Sequence, residues 1–237
     1  LRHEFEELSK GNPAQGDWPD AQFFIPEIVG VLSLDGTLEI SASTKEKAHE
    51  VLDMVLQASS RTKDGPTHLK FKAIETRSQY IQAIESLQQH IQNGDIYEVN
   101  YCTSFRAEIK ELDPVALFQK MDDATDAPFS AYLKLDHHIL LCTSPERYVL
   151  KEQRSILSQP IKGTNRRLNQ GNELAQKVLI ESEKERAENV MIVDLVRNDL
   201  SHVASKGSVE VTELCGVHAF KNVNQMISTV KAALKPE

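Results

Sequence analysis

The chain has 237 residues, of which 40% are hydrophobic and 26% are charged, a composition typical of globular proteins. Its net charge of −8 and its lack of a lysine-arginine run exclude a broadly basic nucleic-acid surface, and no apolar run approaches the ~18 residues of a membrane span. Cys102, Cys142 and Cys215 are far apart and odd in number, as in reduced cytoplasmic proteins. We therefore expect a cytoplasmic protein with no nucleic-acid or membrane partner.

The first part of the chain predicts a hairpin followed by a helix. An apolar run at residues 23–34 ends in an Asp-Gly turn signal, which predicts an antiparallel partner strand at residues 37–40. Ser43 and Glu46 form a capping-box pattern, and apolar residues at helical spacing then predict a helix over residues 45–58.

A polar stretch at residues 59–70 resembles a linker because it contains Asp-Gly-Pro. It divides the chain into residues 1–70, a hairpin plus helix that we interpret as the remainder of an N-terminal region, and residues 71–237.

The second region interleaves helices with hairpins. Thr76 and Gln79 predict a capped helix that ends at Gly94, and Asp113 precedes a proline at the start of another helix that ends near residue 121. Further strands are predicted at residues 96–105, 130–135, 139–142, 148–151, 155–159, 208–214 and 222–230, and further helices at residues 172–182 and 184–196. Without regular βαβ alternation, this order predicts an α+β fold with antiparallel sheets.

Four motifs stand out in this region: Ser-Pro-Glu-Arg at residues 144–147, Pro-Ile-Lys-Gly-Thr at 160–164, a run that begins Glu-Arg-Ala-Glu-Asn at 185–189, and Met-Ile-Ser-Thr-Val at 226–230. In this order they resemble the chorismate-utilising enzymes, which include anthranilate synthase component I, aminodeoxychorismate synthase component I and the isochorismate and salicylate synthases. The resemblance runs from about residue 75 to residue 230. It implies the chorismate-binding fold, in which antiparallel sheets are layered with helices.

Lys162 and Glu146 are the residues best suited to catalysis. A lysine attacks only when it is deprotonated, and a carboxyl group acts as an acid only where its surroundings keep it protonated, so both need a closed pocket. The resemblance makes Lys162 the nucleophile that adds to C2 of chorismate and Glu146 the general acid for the departing C4 hydroxyl. It also assigns Gly163, Thr164 and Ser144 to substrate binding.

Glu185 and Glu188 stand three residues apart on one face of a predicted helix, and Glu181 lies one turn earlier on the same side. A solvated charge network with Lys184 and Arg186 would also explain them. Oxygen ligands suit Mg²⁺, which keeps several waters and can bridge a substrate carboxylate. The resemblance implies that Glu188 binds Mg²⁺ with Glu185 beside it, and that a second protein ligand would follow residue 237.

Three positions distinguish members of the family. Lys162 is typical of aminodeoxychorismate synthases, whereas anthranilate synthases usually have alanine there. Glu98 replaces the lysine base of the water-adding isochorismate and salicylate synthases, but aminating members commonly have glutamine there, so its role stays open. Gln225 stands where anthranilate synthases often have a histidine linked to pyruvate elimination. The resemblance therefore implies amination of chorismate to 4-amino-4-deoxychorismate, for para-aminobenzoate and folate synthesis, with ammonia from a glutamine amidotransferase.

Two alternatives stay open. Anthranilate synthase component I would aminate chorismate and release pyruvate, and a catalytically silent chain would serve as an interaction module. The family usually has a portion before these segments and further motifs after them, so the sequence resembles the middle of a larger enzyme. Residues 71–237 would then be a chorismate-binding catalytic domain without its C-terminal part.

Overall fold

The computed structural model describes residues 22–58 and 69–236. The chain divides into two compact units, residues 1–62 and residues 63–237. Most of the predicted linker, residues 59–68, lies outside the described residues. Among the helices of the described ranges, none is long and apolar enough to cross a membrane.

The described part of the first unit, residues 22–58, contains the predicted hairpin and helix: β1 (Ile28–Leu32), β2 (Leu38–Ala42) and α1 (Lys45–Gln57). The two strands are antiparallel, with Leu32 opposite Leu38. The helix is capped by Thr44 and not by the predicted Ser43, because the Lys47 amide donates to Thr44 Oγ1 at 3.2 Å. Thr44 directly precedes the first helical residue, which is the position from which a side chain reaches this amide.

The second unit contains the remaining elements, in this order: β3 (Lys72–Ala73), α2 (Arg77–Asn93), β4 (Phe105–Arg106), α3 (Pro114–Thr125), β5 (Phe129–Leu135), β6 (His138–Ser144), β7 (Arg147–Glu152), β8 (Ser155–Gln159), β9 (Ile161–Arg166), α4 (Asn172–Glu181), α5 (Glu183–Val203), β10 (Glu210–Ala219) and β11 (Val223–Ala233). Its strands pair antiparallel, which confirms the α+β class. Strands β7 to β11 share one sheet, while β3 pairs with β4 and β5 with β6.

The helix boundaries agree with the sequence where the local signals are strong. Thr76 and Gln79 form the predicted capping box of α2, and this helix ends at Gly94 with a φ of 80°. Asp113 caps α3 by accepting from two backbone amides at 3.1 Å. These ends could be predicted because each depends on residues a few positions apart.

Several predicted boundaries are wrong: α3 continues past residue 121 to Thr125, and β10 continues past residue 214 to Ala219. Helix α5 does not end at residue 196 but continues to Val203, because Leu200 is buried in the core. The strand predicted at residues 96–105 is reduced to the two residues of β4, which pair with β3. A strand is held by hydrogen bonds to a neighbour, and here that pairing reaches only Phe105.

Strand β11 is the centre of the main sheet. One of its edges pairs with β10, and its other edge pairs first with β9 and then with β8. Pro160 separates β8 from β9, and its carbonyl accepts from the Ser228 amide at 3.2 Å. The chain therefore stays paired with β11 through the bend, which fixes the start of β9.

Helix α5 packs across β9 and β11. The core is apolar and joins helix to sheet: it contains Val193, Leu200, Ala204, Val230 and Ala232. Alternate residues of β11 from Met226 to Ala232 are buried, so this strand presents one face to the helix. Because β9 pairs with β11, the helix is also held against β9, the strand that follows Pro160.

Candidate active site

Lys162 lies near the start of β9 with a half-buried side chain. Its Nζ is 3.0 Å from Glu98 Oε1 and donates to Asn100 Oδ1 at 2.9 Å. The side chains of Lys162 and Glu98 are 22% and 27% exposed. The segment that carries both partners is irregular, but Glu98 and Asn100 are two positions apart and both reach the lysine. The position of Lys162 Nζ is therefore fixed by two side chains from residues 98–100.

Glu146 lies in the turn between β6 and β7. Its own amide donates to Ser144 Oγ at 3.1 Å, a local bond that shapes the turn. The amide of Ile161 donates to Glu146 Oε1 at 3.2 Å. The carboxylate is thus tied to the residue directly before Lys162. The neighbouring Arg147 points elsewhere, with its guanidinium 4.6 Å from the centre of the Phe129 ring.

Gly163 has a φ of 98°, a conformation that favours glycine. A Cβ at this position would lie 3.1 Å from Glu185 Cβ and 3.3 Å from Met226 Cβ. The glycine therefore permits both the shape of the strand and the close approach of α5. Through this contact, Glu185 lies against the backbone next to Lys162.

Thr164 is exposed and lies opposite Gln225 of β11 in the sheet register. The Oε1 atom of Gln225 is buried and has no hydrogen-bond partner among the described residues. Buried acceptors are normally paired, so this oxygen is an unsatisfied polar atom opposite Thr164 in the sheet.

Glu185 and Glu188 share one cation. Lys184 Nζ lies 3.3 Å from Glu185 Oε1 and 3.1 Å from Glu188 Oε1, and these bonds, first to Glu188 and then to Glu185, raise the pKa of Lys184. Glu181 does not extend this face as predicted. It ends α4 and pairs with Lys177 at 3.7 Å, because Ser182 separates the two helices.

The two carboxylates fit part of a magnesium site. Their oxygens converge on a position where a cation already lies, and Mg²⁺ is often bound through one or two protein carboxylates with several waters. The part of the chain that the structure describes contains no cluster of three or more His, Cys, Asp or Glu side chains suited to a metal ion.

Asn189, which was given no role from the sequence, is fully buried on α5. Its Nδ2 donates to the carbonyl oxygens of Lys162 at 3.2 Å and Met226 at 3.1 Å. Its Oδ1 accepts from Ser228 Oγ and from Cys215 Sγ, the latter at 3.7 Å. One amide therefore links the helix to both strands beside Lys162.

The sequence matches the family described as chorismate binding enzyme over residues 1–237. The chain therefore belongs to the chorismate binding enzymes. This finding confirms the resemblance that the four motifs indicate.

Named relatives of this chorismate binding enzyme include aminodeoxychorismate and anthranilate synthases. Aminodeoxychorismate synthase component 1 from Klebsiella aerogenes is 41% identical over 166 residues, which are 69% of this chain and 37% of that protein. Anthranilate synthase component 1 from Thermus thermophilus is 30% identical over 244 residues, which are 97% of this chain and 52% of that protein. The chain thus spans between a third and about half of the length of these relatives.

The fold of this chorismate binding enzyme also has solved counterparts. Anthranilate synthase component I from Streptococcus pneumoniae superimposes with a TM-score of 0.78 at 22% identity, covering 88% of this chain and 49% of that one. This agreement confirms the predicted family fold.

In this chorismate binding enzyme, the predicted site residues do not all touch one another. Ser144 accepts from the Glu146 amide, the Glu146 carboxylate accepts from the start of β9, and Gly163 is packed against Glu185. Thr164 is exposed, and the Glu188 side chain is 42% exposed. Asn100 was not predicted as a site residue, although its two-residue spacing from Glu98 was a usable signal. Asn189 offered a weaker signal, as an amide that precedes the apolar part of a helix.

Proposed function

We propose that this chorismate binding enzyme aminates chorismate at C4 to give 4-amino-4-deoxychorismate. The observation that carries the proposal is that the Glu146 carboxylate accepts from the amide of Ile161, the residue directly before the half-buried Lys162. A potential nucleophile and a potential acid are thus brought to one end of β9. The name of the Klebsiella aerogenes relative supports the same activity.

In the proposed reaction, the ammonium of Lys162 passes a proton to the Glu98 carboxylate beside it, and the neutral amine forms a bond to C2 of chorismate; Glu98 returns this proton when the lysine is released. The two ring double bonds shift, the C4–O bond breaks, and Glu146 donates the proton with which the hydroxyl leaves as water. Ammonia then forms a bond to C4, the double bonds shift back, and the C2–N bond breaks to return the electron pair to Lys162. The new ammonium group at C4 loses a proton, which restores Glu146. The sum is chorismate plus ammonia giving 4-amino-4-deoxychorismate and water.

The remaining site residues would bind and orient the substrate. Gly163 lets the backbone approach a substrate carboxylate, Thr164 offers a hydroxyl, and Ser144 shapes the turn that carries Glu146. Glu188, with Glu185 beside it, would hold Mg²⁺, which supplies positive charge for a substrate carboxylate. Ammonia would come from a glutamine amidotransferase partner, a division of labour that the component 1 names of the relatives support.

The test is a mass-resolved product assay with chorismate, ammonium and Mg²⁺ that also follows free pyruvate. It is run on this chain and on the longest natural polypeptide that contains it. An aminated product that retains the enolpyruvyl group is the expected result, and Lys162→Ala should abolish it while Lys177→Ala, at an exposed lysine of α4, should not.

Other outcomes would refute the proposal. Anthranilate with pyruvate would favour the activity for which the Thermus thermophilus relative is named. No turnover by either polypeptide would favour a catalytically silent interaction module.

A further inference from the structure

We infer that Asn189 is a positioning residue for Lys162. Its buried amide holds the bulge of β9 from which the lysine side chain leaves the sheet. The inference rests on the proposed function insofar as Lys162 is the nucleophile of that reaction.

The bulge is visible in the register between β9 and β11. Ile161 pairs with Ile227, and Thr164 pairs with Gln225. Lys162 and Gly163 therefore both lie opposite the single residue Met226. Such a bulge bends its strand and re-aims the side chains that it carries. The positive φ of Gly163 is part of the same distortion.

Asn189 joins the two strands where the bulge interrupts their register. The carbonyl oxygens of Lys162 and Met226, one from each strand, both accept from its Nδ2. Buried carbonyl groups need such partners, and the side chain that supplies them here is fully buried. The side-chain amide of Asn189 therefore bridges the two strands where the bulge interrupts their regular pairing.

The amide of Asn189 is itself held in one orientation. Its Oδ1 accepts from the Ser228 hydroxyl and the Cys215 thiol, so both donor hydrogens are left for the two carbonyls. The Ser228 hydroxyl in turn accepts from the Cys215 amide at 2.9 Å. This fixed arrangement is what a positioning role requires, because reacting groups lose rate steeply when they are displaced.

The position of Lys162 Nζ depends on this backbone. Asn189 donates to the carbonyl oxygen of Lys162, while Lys162 Nζ lies 3.0 Å from Glu98 Oε1 and 2.9 Å from Asn100 Oδ1. If the carbonyl of Lys162 lost its partner, the bulge could relax and Nζ would leave these contacts. The lysine would then stay chemically intact, but its Nζ would no longer be held in the position that the reaction needs.

The test uses Asn189→Leu, of similar size without a donor, and Asn189→Ser, a smaller polar variant in case the first does not fold. The matched control is Val230→Ala, which removes buried volume from β11 in its core with Val193 and Leu200 and leaves the hydrogen bonds of Asn189 in place. Folding is verified by circular dichroism and urea unfolding, and all assays are run well below the unfolding transition.

The first readout needs no chorismate. Each variant is treated with fluorodinitrobenzene, and mass spectrometry compares arylation of Lys162 with that of exposed Lys177 in the same sample. We expect the Asn189 variants to arylate Lys162 several-fold faster relative to Lys177, because Nζ is released, and Val230→Ala to match the wild type. A wild-type ratio in a folded Asn189 variant would overturn the inference.

The second readout is steady-state kinetics in the longest natural polypeptide that contains the chain. The expected result is a fall in kcat of about 10²-fold in the Asn189 variants with KM nearly unchanged, and wild-type kcat for Val230→Ala. Altered arylation with wild-type kcat would overturn the catalytic role. If the wild type does not turn over chorismate but the arylation result holds, the proposed function fails while the structural assignment of Asn189 stands.

Discussion

Gly163 and Glu185 approach so closely that no side chain fits between them. A Cβ on Gly163 would lie 3.1 Å from Glu185 Cβ and 3.2 Å from Glu185 Oε2. Contacts of this length force a neighbour to move, and the neighbours here are a carboxylate at the proposed site and the buried Met226. The glycine thus sets the distance between β9 and α5.

We predict that Gly163→Ala lowers both stability and activity. The positive φ costs about 1 kcal/mol for a residue with a Cβ, and crowding in a packed region adds about 1 to 3 kcal/mol. Gly171→Ala is the matched control, because Gly171 also has a positive φ of 71° but has no atom within 4 Å of an added Cβ. Urea unfolding of both variants separates strain from crowding. Equal losses of stability would show that the contact with Glu185 is unimportant.

The sequence predicts those parts of the fold that depend on neighbouring residues. The capping box at Thr76 and the stop at Gly94 are set within a few positions, and both are found in the structure. The predicted end of α5 was wrong because the burial of Leu200, which no local pattern reveals, extends the helix. Likewise, the strand predicted at residues 96–105 had the right apolar residues but lacked a neighbouring strand over most of its length.

The proposed site shows the same division. The motifs indicate Lys162 and Glu146, but they do not indicate the partners of the lysine. One of these partners, Asn100, lies 62 residues away in the sequence. Asn189 lies within a motif, yet its function depends on carbonyl groups that only a bulge brings together. Spacing along the chain cannot reveal such contacts, because they arise from how strands pair.

The ion pair between Lys162 and Glu98 should appear as an energetic coupling. Lys162→Met leaves a partly buried carboxylate without its cation, and Glu98→Gln leaves the ammonium without its anion, so each single change should destabilise the fold. The double variant removes both charges and should recover about 1 kcal/mol relative to the sum of the single effects.

Urea unfolding of the four proteins of this cycle measures the coupling at low and high salt. The pair is only partly exposed, so the coupling should decrease but persist at high salt. Strictly additive effects would mean that Nζ and Glu98 do not interact in solution.

Cys215 should make stability fall at alkaline pH. Burial raises the pKa of its thiol, which is 6% exposed. As pH rises above the ordinary thiol pKa of about 8.5, the unfolded chain releases this proton while the folded chain retains it. The folded state then binds more protons, so the free energy of unfolding decreases with pH until the folded thiol ionises too.

The measurement compares the urea midpoints of the wild type and Cys215→Ala between about pH 7 and pH 10. Other titrating groups contribute to both proteins, so the difference between the two curves isolates Cys215. We expect the advantage of the wild type to shrink above about pH 8.5 and to stay constant below it. A difference that stays constant over the whole range would contradict the raised pKa.

Lys184 should compete with Mg²⁺ for the carboxylates of α5. Its ammonium lies 3.3 Å from Glu185 and 3.1 Å from Glu188, where a metal ion would bind. Lys184→Ala removes this competitor, so we expect the Kd for Mg²⁺ to fall roughly two- to fivefold, in keeping with an exposed ion pair. Glu188→Gln should raise the Kd, because it removes a charged oxygen ligand.

Isothermal titration with Mg²⁺ measures both effects, and Ca²⁺ titrations test ion selectivity. Lys177→Ala is the matched control, because this lysine forms a similar exposed pair with Glu181 on α4 but lies off the proposed site. If Lys177→Ala and Lys184→Ala changed Mg²⁺ binding equally, the effect would reflect net charge alone. Unequal effects, with only the Lys184 variant binding more tightly, would assign the metal to Glu185 and Glu188.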